Sequence, residues 1–181
     1  MAATTHVFLA GIDNSGPGHW QSLWRDRLAD SVWVEHSSWD APDRDTWVRE
    51  FGDALRAIEG PKVIIAHSLG CTLLAEWAAE HQDASVTGAF LVAPPDVQGP
   101  GFQAAAVGFA PARPVRLLFP AVVVASEDDP YGSLEHATAR AEQFGAALVN
   151  VGRKGHINAG SALGDWPEGW SLFSATLDRR P

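Results

Sequence analysis

The 181-residue sequence predicts an α/β fold: a mostly parallel sheet of about six strands with helices on both faces. Three observations predict it. Short apolar runs rich in β-branched residues alternate with longer segments whose apolar residues recur at helical spacing. Clusters of Gly, Pro and polar residues mark each change of period. No linker, low-complexity stretch or long repeat interrupts the alternation, so residues 1–181 are expected to form one domain.

The elements follow in order. His6 to Ala10 is short, apolar and β-forming, and meets Gly11 and a polar turn. From His19 to Ala29, residues Trp20, Leu23, Trp24 and Leu28 fall at helical spacing. Ser31 to Glu35 is expected to be a second strand. Pro42 to Glu59 is the plainest helix. Trp47, Phe51, Leu55 and Ile58 share one stripe, Asp43 and Asp45 lie where the helix dipole favours negative charge, and Gly60-Pro61 ends it. Lys62 to Ala66 is the continuous apolar run that a buried parallel strand requires. Ser68 to Glu80 then turns helical, and Val86 to Val92 is another buried strand. Ala93 to Pro114, rich in Pro and Gly, is expected to be a loop with one short helix near Gln103 to Val107. Ala121 to Ala125 reads as a strand, Leu134 to Phe144 as a helix closed by Gly145, Ala147 to Val151 as the last strand, and Trp170 to Leu177 as a closing helix. In such sheets chemistry sits in the turns after the strands.

Charge narrows the partners. Twenty-two acidic against thirteen basic residues leave a net charge of -9, which repels phosphate backbones and argues against nucleic acid and anionic membrane. Cys71, the only cysteine, cannot form an internal disulfide, which suits a reducing compartment. The start, Met1-Ala2-Ala3, has no basic run, and Val7 to Ala10 is too short for a signal segment or a span. A soluble, cytoplasmic protein is expected; the oligomeric state is not readable. The eight tryptophans are expected to serve packing, with Trp20 or Trp166 on the wall of a substrate pocket.

Three turns carry chemistry. The first reads Ile65-Ala66-His67-Ser68-Leu69-Gly70, a Gly-x-Ser-x-Gly elbow with Ala66 in the first glycine position. Its spacing is steric: the serine sits at a sharp strand-to-helix apex, and its neighbours two residues away must be small. The backbone N–H of Leu69, at the helix start, is free to face a developing oxyanion. An ordinary turn with Ser68 as helix cap is the bland alternative. The second turn holds Glu127, Asp128 and Asp129. Asp129 is preferred because it precedes Pro130, as at the Asp-Pro step common at this site in α/β-hydrolases, and Asp128 is expected to brace the loop. The third turn, Gly152 to Asn158, places His156 in a glycine-bounded loop and completes the chain order Ser, Asp, His of that fold.

Those types divide the work of acyl transfer. Ser68 attacks a carbonyl, His156 takes and returns its proton, and Asp129 orients the imidazole. The second oxyanion donor is expected at the backbone N–H of Ile12, with Asp13 as fallback. His67 is expected to shape the elbow and His19 to line the pocket. No metal-ligand spacing and no nucleotide-binding glycine motif is present, so no metal and no cofactor are expected. Phe102 and Phe109 are expected to help form the pocket.

With these residues placed, the chain resembles the small serine hydrolase family that contains retinoblastoma-binding protein 9. The marks are Ser15-Gly16-Pro17-Gly18-His19-Trp20-Gln21, Ala66-His67-Ser68-Leu69-Gly70, Ser126-Glu127-Asp128-Asp129-Pro130, and Gly155-His156-Ile157-Asn158 with Gly164-Asp165-Trp166-Pro167-Glu168-Gly169. The resemblance implies a compact α/β-hydrolase without a large lid domain, acting on ester or amide bonds of small molecules through Ser68, Asp129 and His156. It also implies that His19 and Trp20 lie near the pocket mouth. Ala66 departs from the usual glycine, and Leu69-Gly70-Cys71 does not continue the Leu-x-Cys-x-Glu motif through which the eukaryotic member's partner is bound, so that function is not carried over. The alternatives are a catalytically silent binding protein that keeps the fold, and a thioesterase or amidase with the same three residues.

Overall fold

A computed structural model of the chain describes residues 3–178; the expectations for Met1 and Ala2 and for a domain reaching Pro181 lie outside them. Apolar runs become strands where helices cover both faces. They are β1 (Thr5–Leu9), β2 (Ser31–Trp33), β3 (Lys62–His67), β4 (Val86–Val92), β5 (Ala121–Ala125) and β6 (Ala147–Asn150). All five neighbouring pairs are parallel, in the order β2-β1-β3-β4-β5-β6. The chain leaves β1 towards one edge and returns to β3 to build towards the other. The order therefore reverses between β1 and β3, which opens a crevice at the carboxyl ends of those strands.

Alternation along each strand makes two cores. Val7, Leu9, Ile64, Ala66, Ala89 and Leu91 face α2 (Arg44–Ala57), α3 (Leu69–Ala78) and α4 (Leu134–Phe144). Phe8, Val63, Ile65, Phe90 and Val92 face α1 (Trp20–Arg27) and α5 (Pro167–Asp178). On this second face two helices do the covering, and large side chains fill the span. Trp20 and Trp166 are 1% and 2% exposed, with ring centroids 5.3 Å apart, so they are core residues and not the pocket wall expected of them. Phe109 likewise belongs to the first core.

Local chemistry explains the boundaries. Asp43 caps α2 by accepting from the Thr46 N–H at 2.9 Å. The closing helix starts at Pro167, three residues before the apolar stripe implies, because proline suits the first helical position. Gln103 to Val107 is not helical. Gly99, Gly101 and Gly108 with Pro100 and Pro111 disfavour a helix there. The chain bridges instead to the start of α2, where Val107 N–H donates to Pro42 and Arg44 N–H to Val107. The stretch from Ala93 to Pro120 therefore crosses from β4 to β5 without a helix. It is clamped by charge: buried Glu76 of α3 accepts from Arg44 Nε at 3.0 Å and from the Arg113 backbone at 3.1 Å. Among the described residues no helix is long and apolar enough to cross a membrane.

Candidate active site

The elbow is built by close approach. Ser68 joins β3 to α3 with φ 54° and ψ -125°, a conformation strained for a residue with a side chain. Gly70 lies so close to the Leu9 carbonyl that a Cβ there would overlap it, and a Cβ on Gly11 would lie 2.9 Å from that of Ser68. Buried Ala66 fits in the first small position. The Ser68 side chain makes no capping bond to α3, so the bland reading of a helix cap fails.

It donates instead to His156. Ser68 Oγ lies 2.8 Å from His156 Nε2, and His156 Nδ1 lies 2.9 Å from both oxygens of Asp129. The three acids after β5 are thereby sorted. Asp129 takes the imidazole. Asp128 accepts from the Gly155 N–H at 2.8 Å and from Ser126 Oγ at 2.9 Å, bracing the histidine loop. Those bonds, the Gly155 N–H foremost, hold its carboxyl below the usual carboxylate range. Glu127 accepts from Asn150.

The loop carrying His156 is pinned from below. His67 Nε2 donates to the His156 carbonyl at 2.9 Å and Trp20 Nε1 to the Ile157 carbonyl at 2.9 Å. Trp20 thus serves the site as an anchor under the loop. Burial, then the neighbouring His19 and His156, keep the His67 ring well below the ordinary histidine range. Burial and His156 lower His19 to about 4; its Nδ1 caps α1 by accepting from the Gln21 N–H at 3.1 Å. Both rings are neutral near pH 7. A short 3-10 turn, Ala159–Ser161, follows the loop and was not legible in the sequence.

A cavity of about 300 Å³ opens over Ser68 and His156. Ile12, Leu69, His19, Phe102, Tyr131 and Asn158 are among its lining, as expected for the first four. Among the described residues no lysine or arginine lines it. The N–H groups of Ile12 and Leu69 meet no protein acceptor among the described residues, whereas that of Asp13 donates to the Trp39 carbonyl at 2.9 Å. Asp13 as fallback donor is therefore set aside.

Two residues escaped the sequence reading. Gln21 is fully buried at the crevice, its Nε2 bridging the Leu9 and Ile65 carbonyls at 3.0 Å each; a polar residue on the apolar stripe of a helix is the signal for such a bridge. Tyr131 touches His156, and its place two residues after Asp129 is the signal for it. Cys71 is buried behind the elbow, where burial pushes its thiol up and leaves it inert. Among the described residues no group of three His, Cys, Asp or Glu is arranged to hold a metal ion.

Known proteins share this architecture. A protein named a YdeN-like hydrolase, from Pectobacterium atrosepticum, superposes with a TM-score of 0.85 at 27% identity, over 98% of this chain and 93% of its own. The ydeN gene product of B. subtilis superposes with a TM-score of 0.83 at 19% identity, over 98% of this chain and 100% of its own. The type II thioesterase BorB of the borrelidin biosynthetic cluster reaches 0.70 at 16% identity, over 97% and 93% of the two chains. The fold is that of the α/β-hydrolases. No curated protein matches the chain. The model of the serine hydrolase family matches residues 6–175, and the chain belongs to that family.

Proposed function

We propose that the chain is a carboxylesterase-like enzyme in which Ser68, His156 and Asp129 act as a catalytic triad on a small ester, with amides and thioesters as further candidates. The single observation that carries it is the hydrogen-bonded run from Ser68 through His156 to Asp129 beneath an open cavity. His156 Nε2 takes the Ser68 proton as Oγ bonds to the acyl carbon. The oxyanion gathers between the Ile12 and Leu69 N–H groups, and the proton passes to the leaving group as the acyl-enzyme forms. Water then repeats the sequence and frees Ser68. Asp129 fixes the imidazole with its proton on Nδ1 and offsets the charge that develops on it.

The cavity, near the lower end of ligand-site volumes and with no lysine or arginine among its described lining residues, favours a short, uncharged acyl group. The motifs at 15–21, 66–70, 126–130 and 155–169 support placing the chain beside the retinoblastoma-binding protein 9-like hydrolases. A cytoplasmic setting suits its lone buried cysteine, and its negative charge disfavours nucleic acid and anionic membrane as partners.

The test is labelling with a fluorophosphonate and turnover of simple esters of graded acyl length. The wild type is expected to label on Ser68, and Ser68→Ala to escape labelling and lose at least ~10³-fold in kcat. Unlabelled wild type with no ester turnover would instead make the chain a binding protein with a hydrolase fold.

A further inference from the structure

The turn after β5 does more than present an acid. Pro130 and Tyr131 follow Asp129 directly, and each of three parts of Tyr131 meets a different part of the site. Its backbone N–H donates to Asp129 Oδ1 at 2.9 Å. Its ring packs edge-to-face on the His156 imidazole, with centroids 4.6 Å apart and planes at 66°. Its carbonyl accepts from the Asp96 N–H at 2.8 Å, tying the turn to the loop after β4. Tyr131 is 37% exposed and lines the cavity beside His156.

We propose that Tyr131 is a positioning residue that holds the acid and the base as one unit, fixing Asp129 through its backbone while its ring bars the His156 imidazole from swinging away from Ser68 and from open water. This rests on the reading of Ser68, His156 and Asp129 as the reacting groups. The His67 ring also packs beside the imidazole, with centroids 4.9 Å apart. Of the two neighbouring rings, Tyr131 is the one carried by the turn that also holds Asp129. The bonds to His67, Trp20 and Asp128 hold the backbone of the His156 loop, whereas the Tyr131 ring packs on the imidazole itself and so limits its rotamers. The hydroxyl takes no part; the ring alone suffices.

The backbone bonds of residue 131 survive truncation of its side chain, so Tyr131→Ala separates ring from turn. It is expected to lower kcat about 10- to 100-fold with KM within about threefold, since misplacement of a reacting group acts on the transition state more than on binding. The downfield proton of the bond between His156 Nδ1 and Asp129, followed by NMR, is expected to lose its protection from exchange in the same variant. Tyr131→Phe is expected to restore both kcat and the protected proton. If Tyr131→Ala does not fold, as judged by circular dichroism, Tyr131→Ser replaces it. A kcat within twofold of wild type, a rise in KM alone, or a phenylalanine variant as impaired as the alanine one would overturn the proposal. Ser68→Ala is run beside it. An inactive Ser68→Ala with an unimpaired Tyr131→Ala defeats this inference alone; an active Ser68→Ala defeats the triad as well.

Discussion

The indole N–H of Trp20 donates to the carbonyl of Ile157 at 2.9 Å, across 137 positions of sequence. The first helix thereby holds the loop of the proposed base. Trp20→Phe keeps an aromatic ring in the core but leaves that buried carbonyl without its donor. A stability loss of about 1–3 kcal/mol is expected in urea unfolding, together with a lower kcat. Equal stability of variant and wild type would show that the loop needs no such anchor.

Gly11 faces Ser68 at a distance that admits no side chain. The Cβ of Gly11→Ala would lie 2.9 Å from the Ser68 Cβ and 3.2 Å from its Oγ. The nucleophile must shift, and kcat is expected to fall about 10- to 100-fold. Gly70→Ala meets backbone instead, at the Leu9 carbonyl, so its effect is expected in the melting temperature. Steady-state kinetics beside calorimetry on the two variants checks the contrast; the same pattern for both would refute it.

How much of this was readable beforehand depended on how local each signal was. The elbow is specified within six residues, so the geometry at Ser68 could be foreseen from Ala66 and Gly70. Val86 to Val92 and Ala121 to Ala125 were bounded correctly because a strand buried on both faces has a nearly continuous apolar run, broken here only by Thr87. Trp20 and Trp166 misled, because helical spacing places a tryptophan on an inward face without saying whether core or cavity lies there. Helix near Gln103 was overridden by the flanking prolines and glycines and by a bridge from Val107 to Asp43 that no local pattern announces.

Asp128 and Asp129 are adjacent but should fail differently. Asp129→Asn is expected to cost about 10³- to 10⁴-fold in kcat by favouring the wrong imidazole tautomer. Asp128→Asn loses a carboxylate whose folded pKa is depressed. Such a group stabilises the fold above its ordinary value of 3.8, and that contribution is lost as pH falls through the depressed value. The melting temperatures of Asp128→Asn and wild type are therefore expected to differ at neutral pH and to converge in strong acid. A constant difference across that range would exclude the linkage.

Four histidines act in the same direction, higher on the pH scale. His19, His36, His67 and His136 are each lowered from 6.5, burial being the largest cause, with His19 at about 4. Between pH 6.5 and 4 the unfolded chain takes up protons that folded His19 refuses, so stability falls as the medium is acidified through that window. Calorimetry is expected to show a melting temperature roughly 5 °C or more lower at pH 5 than at pH 7. His19→Asn, which keeps a capping acceptor for α1, is expected to flatten that slope. An unaltered slope would remove His19 as its source.

The stretch from Ala93 to Pro120 supplies Pro95 and Phe102 to the cavity, yet it is no part of the sheet that positions Ser68. It is moored by Glu76, by backbone bonds near Pro42 and by the Asp96 N–H on the Tyr131 carbonyl. Replacing Phe102 with smaller or larger residues can therefore retune which acyl groups fit while the machinery beneath stays in register. Selection for new substrates has one free surface on which to work.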